Sequence, residues 1–123
     1  MRIANAALRL KSNKPDGIVL LATMLAYKRQ WGGDWVTNMD INKIEMPVLI
    51  AHHKKDKCIV TPPGKVSILR KKLKNAKPVK VLWYEGGIGV RGNECEAQHY
   101  HGFKGIEKKV VSDIMGWIKS QTP

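Results

Sequence analysis

The stretch "PVLIAHHKKDKCIVTPP", residues 47–63, decides how the chain folds. Pro47 opens a continuous apolar run from Val48 to Ala51, and charged residues close it. A short apolar run of this kind predicts a strand covered on both faces. His52 and His53 read as packing and turn residues at the strand's end. Thr61 ahead of Pro62 reads as a helix N-cap with Pro at the first helical position. Beyond it, Val66, Leu69 and Leu73 fall at i, i+3 and i+7, one face of a helix. Lys65, Arg70, Lys71, Lys72 and Lys74 fall largely on the other faces. The stretch is therefore the strand, the loop and the helix start of one β–loop–α unit.

Working outward, the same signals recur on both sides. The turn formers Pro15-Asp16-Gly17 precede a second apolar run from Ile18 to Thr23, a further buried strand. Its end is open, because Met24 to Tyr27 are equally good helix residues. On the other side, Val79 to Tyr84 is a third strand, closed by Gly86-Gly87. Residues 3–10, IANAALRL, predict a helix of small residues packed tightly against its surroundings. Residues 28–40 are irregular; their Trp31 and Trp35 line a cleft or cover the core. A long loop, 86–104, leads to Ile106, Val110, Ile114, Trp117 and Ile118, an amphipathic helix reaching about Lys119. Strands alternating with helices imply right-handed crossovers and a parallel sheet. The prediction is α/β: one domain over 1–123, a small three-layer parallel sheet of about three strands flanked by helices.

Composition bounds the partners. The chain has 123 residues, 43% of them apolar, which suits one packed core and not a disordered segment. Net charge is +12, so non-specific attraction to polyanions is expected. Specific nucleic-acid reading is not favoured: there is one Phe, and aromatics do not interleave with the basic stretch. The longest apolar run, residues 18–27, is too short to span a bilayer. Arg9, Lys11 and Lys14 precede it as in a signal peptide, but the Pro-Asp-Gly turn between argues for a strand.

In open parallel sheets, functional groups gather at the carboxyl ends of the strands. Asp56 follows the strand at Val48, and His101 lies in the loop after the strand at Val79. If those strands are neighbours, the two side chains emerge together. A carboxylate beside an imidazole holds its tautomer and stabilises the imidazolium. The plainer alternatives are a turn residue in KKDK for Asp56 and a surface loop histidine for His101. His99 reads as a structural or solvated neighbour.

The order of these motifs resembles the C-terminal half of a serine α/β-hydrolase, of the esterase or dienelactone-hydrolase kind. The residues carrying the resemblance are "IEMPVLIAHHKKDKCIVTPP", "VLWYEGG" and "HYHGFKGIEKKVVSDIMGWI". In that family the triad acid follows the seventh strand and the triad histidine the eighth, often as H-G-F. The resemblance implies Asp56 as orienting acid, His101 as general base, "PDGIVLLAT" as the sixth strand and hydrolysis of a carboxylic ester. It implies no cofactor, since the reaction needs only water. The nucleophile elbow G-x-S-x-G, due just before Ile3, is absent, and Ser12, Ser67, Ser112 and Ser120 lack its setting. Without that serine and the oxyanion hole, the chain alone is expected to be a very poor esterase. The fifth strand is missing too, so the edge from Ile18 to Thr23 is the expected contact for a second copy or an N-terminal half. The alternative is a non-catalytic remnant acting as a basic binding module.

Cys58 and Cys95 fall in the two loops that carry Asp56 and His101. A disulfide would tie those loops together and add about 3–4 kcal/mol. It would also place the chain in a secreted or periplasmic setting; two free thiols would suit the cytoplasm. The competing reading is a zinc site of Cys58, Cys95, His99 and His101, but C-x3-H-x-H is not a usual paired-ligand spacing. No metal is expected.

Overall fold

The computed structural model describes residues 2–26, 35–89 and 92–121. Helix α1 (Arg2–Arg9) leads into β1 (Ile18–Leu21), then β2 (Val48–His53), α2 (Val66–Lys72), β3 (Val79–Tyr84) and α3 (Glu107–Gln121). The strands form one parallel sheet in the order β1-β2-β3, with Ile18 opposite Val48 and Val48 opposite Val79. This is a small α/β fold with helices on both faces. The Trp31 end of the 28–40 segment lies outside the described residues.

Alternation along the strands sorts the core into two halves. Ile18, Leu20, Val48 and Ile50 point to one face, where they meet Ala4 and Ala7 of α1 and Leu69 of α2, with Leu73 just beyond it. Ala4 and Ala7 are buried, so small side chains let α1 approach closely. Ala51 and Tyr84 point to the other face, against Phe103 and Val110, the latter on α3. The Tyr84 hydroxyl donates to Asp113 Oδ2 of α3 at 2.9 Å, which anchors that helix to β3.

Three expected boundaries move. β1 stops at Leu21, two residues early, because Ala22 turns to φ 42 and leaves the extended region. β2 runs two residues longer, to His53, and all six of its residues are buried. The histidines are strand residues and not turn residues, since each ring finds a backbone carbonyl inside. Thr61 does not cap a helix: Pro62 is extended at φ −65 and ψ 125, and a 3-10 turn begins at Pro63. A residue before proline is driven out of the helical region, and Pro62 precedes Pro63. The helix start is thereby displaced, and the Thr61 hydroxyl is released for another use.

Among the described residues, β1 pairs with β2 only, and its Leu21 is 46% exposed. No helix among them is long and apolar enough to cross a membrane.

Candidate functional site

β2 and β3 are neighbours, so the loops leaving their carboxyl ends meet. Asp56 sits in the turn just past β2, its amide bonded to the His53 carbonyl at 3.2 Å. His101 sits in the 3-10 turn Tyr100–Gly102. The two are in contact, with His101 Nδ1 3.0 Å from Asp56 Oδ2. Gly102 is needed beside His101, because a Cβ there would run into the Ala97 backbone. Phe103 then takes a left-handed conformation, φ 58, and turns its buried ring into the core.

Asp56 is 5% exposed, and its carboxylate is fully engaged. Oδ1 accepts the Cys58 amide at 2.9 Å. Oδ2 accepts the Thr61 hydroxyl at 2.9 Å as well as His101. A carboxylate only accepts, so Nδ1 of His101 must carry the proton. That N–H is shared with Thr61 Oγ1, 3.1 Å away. With the proton on Nδ1, the basic lone pair of an unprotonated ring falls on Nε2. Burial alone would raise the Asp56 pKa, but the hydrogen bonds from His101, Cys58 and Thr61 outweigh it and hold the carboxyl below its usual value.

His101 keeps partial access, with 21% of its side chain exposed. It borders two cavities. One, of about 280 Å³, also has Lys55, Lys57, Glu94 and Tyr100 in its wall. The other, of about 390 Å³, lies at the tip of β1, walled by Leu21, Ala22, Cys95 and Phe103 among others. Among the described residues, no serine lines either cavity.

The other histidines are structural. His53 Nε2 donates to the Gly86 carbonyl at 2.7 Å, and Nδ1 accepts the Lys55 amide at 3.0 Å. Its ring also stacks on Tyr100, with centroids 4.7 Å apart. His52 is fully buried, and its Nε2 donates to the Thr61 carbonyl at 2.8 Å. Its Nε2 lies 3.7 Å from Asp56 Oδ2, but burial lowers the His52 pKa, so the contact joins a neutral ring to a carboxylate. His99 contributes its backbone carbonyl, which accepts the Gly102 and Lys104 amides at 3.0 and 3.2 Å.

Cys58 and Cys95 are joined in a disulfide across 37 residues. Both sulfurs are used, so the zinc set of Cys58, Cys95, His99 and His101 does not form. Among the described residues there is also no cluster of three or more metal-ligating side chains. Thr61 is the site residue that sequence reasoning missed. The signal was the second proline, which moves Thr61 off the helix start.

The pH dependence of stability follows in sign. His52 and Asp56 both have lowered folded pKa values, from 6.5 and 3.8. Below each unfolded value, the unfolded chain takes up a proton that the folded chain resists, so stability falls on acidification. The urea midpoint is expected to fall from about pH 6.5 downward through His52, and again below about pH 4 through Asp56. His52→Gln removes the upper limb. A wild-type profile that is flat between pH 7 and 5 contradicts the assignment.

Comparison with protein-family models, curated proteins and solved structures returns no match. The class is set by the molecule itself: a small α/β domain with a buried carboxylate orienting a partly exposed histidine at adjoining strand tips.

Proposed function

We propose that the chain supplies the base and orienting acid of an ester hydrolase that works through a nucleophile. The observation that carries this is the 3.0 Å contact between His101 Nδ1 and Asp56 Oδ2, which leaves Nε2 as the ring nitrogen available to a substrate. In this reading His101 Nε2 takes the proton of an attacking hydroxyl and later returns it to the leaving alkoxide. Asp56 holds the ring's tautomer and stabilises the imidazolium. The substrate is a small ester-type molecule. The resemblance to the C-terminal half of serine α/β-hydrolases supports the same roles. The nucleophilic serine and oxyanion donors come from outside the described residues, from an N-terminal half paired along β1; a second copy would cover the same edge without supplying them. The unpaired edge of β1 favours such pairing.

Hydrolysis of p-nitrophenyl acetate tests the reading. The chain alone is expected to be slow, with His101 acting on water. His101→Ala should lower that rate by about 10²-fold or more. A rate indifferent to His101→Ala ends the proposal.

The second reading, a basic binding module, is favoured by the net charge of +12 and by Lys65, Arg70, Lys71, Lys72 and Lys74 in and around α2. Sequence-specific nucleic-acid binding without any ester hydrolysis would select it. Binding that fades for all sequences as salt rises reports charge alone.

A further inference from the structure

We propose that the Cys58–Cys95 bond is an exchangeable disulfide, opened by small thiols at Cys95, and that its opening loosens His101 from Asp56. The proposal does not rest on ester hydrolysis. It rests on where the two sulfurs lie and what each loop holds.

The bond sits at the rim of the strand tips, between the loop after β2 and the loop after β3. Its two ends are unequal. Cys58 is 2% exposed. Cys95 is partly exposed and borders the 390 Å³ cavity that His101 also borders. Thiol–disulfide exchange depends on access to the sulfur attacked. The cavity gives an incoming thiolate access to Cys95, while Cys58 is the shielded end. Exposed Glu94 and Glu96 flank Cys95 while exposed Lys55 and Lys57 flank Asp56, so local charge does not select among thiols, and the net charge of +12 supplies the long-range attraction for an anionic thiol such as glutathione.

Both ends bear on the acid–base pair. The Cys58 amide holds Asp56 Oδ1. Cys95 begins the segment that ends at His101. The hydrogen bonds at the start of that segment are local: Cys95 to the Asn93 side chain, Glu96 to the Asn93 carbonyl, His99 to the Glu96 carbonyl. The disulfide is the covalent tie from this arm to the Asp56 turn. Past His101 the chain has separate anchors, in the buried Phe103 ring and the Ile88 amide bonded to the Lys104 carbonyl at 2.8 Å. Opening the bond therefore frees the arm from the Asp56 turn as far as Tyr100, whose ring stays stacked on His53, and leaves the sheet in place.

The exchange balances. A thiolate attacks Cys95 Sγ, the S–S bond breaks, and its electron pair leaves on Cys58 Sγ, which takes up a proton. Cys95 then carries a mixed disulfide. A second thiol attacks the reductant's sulfur of that mixed disulfide, leaving Cys95 as a thiol and the reductant as its own disulfide.

The test uses the full chain under native conditions with glutathione, followed by acid quenching and peptide mass spectrometry. The adduct is expected on Cys95 in at least tenfold excess over Cys58. In the fully reduced protein, circular dichroism should retain the α/β signal. The downfield proton signal of His101 Nδ1–H should weaken or vanish relative to the oxidised protein. Adduct on Cys58, no adduct short of denaturation, loss of the fold on reduction, or an unchanged His101 signal would each overturn the proposal. The double variant Cys58→Ser, Cys95→Ser, a permanently open form, should reproduce the reduced spectrum; a spectrum like that of the oxidised protein would also overturn it.

Discussion

Asp56→Ala is expected to lower the unfolding free energy by about 3–5 kcal/mol, because it removes the common acceptor of a buried polar network. Its carboxylate serves the Cys58 amide, the Thr61 hydroxyl and the His101 ring within 3.0 Å. Alanine offers none of them an acceptor, and Thr61, 1% exposed, cannot turn to water instead. A buried donor left without a partner costs about 1–3 kcal/mol, so several together reach the stated range. Asp56→Asn keeps the shape and one acceptor oxygen, and should cost less. Urea titration with an unchanged m-value checks both variants. A loss under about 1 kcal/mol for the alanine variant would mean that the network is not a unit.

Ile50→Ala should be comparably severe. Ile50 lies in the central strand, is fully buried and belongs to the cluster that joins the sheet to α1 and α2. Truncating a buried isoleucine costs about 2–5 kcal/mol, and the upper half applies where neighbours cannot collapse into the space. Ile50 has β1 on one side and β3 on the other, so its backbone has little freedom to relax. A domain of this size has about 5–15 kcal/mol in total, so the variant should lose a large share of its stability. Leu21→Ala, on the exposed end of the edge strand, should stay within about 1 kcal/mol. Equal losses at the two positions would contradict the layer assignment.

β1 and β2 were legible as bounded apolar runs, and β3, though Lys80 interrupts its apolar residues, has the limits expected for it. The extension of β2 was not, because what stabilises its histidines is distant. His52 bonds a carbonyl 9 residues away and His53 one 33 residues away. No local pattern encodes those partners. The early end of β1 was hidden too, since an alanine at positive φ carries no compositional mark. At the site, Asp56 and His101 were named from strand-tip logic, and the neighbouring strands bring them together across 45 positions. Thr61 escaped because a threonine ahead of a proline also fits a helix cap. The disulfide reading followed from loop placement, and the bond is present. The catalytic roles are a separate matter, carried by the experiments above.

One carbonyl has a wider consequence. Val60 accepts both the Leu25 amide at 2.8 Å and the Ala26 amide at 3.1 Å, which binds the chain leaving β1 to the turn that carries Asp56. That turn cannot lift without baring both amides to solvent. In heavy water, Leu25 and Ala26 should therefore take up deuterium together, as paired clocks for the breathing of the acid's turn.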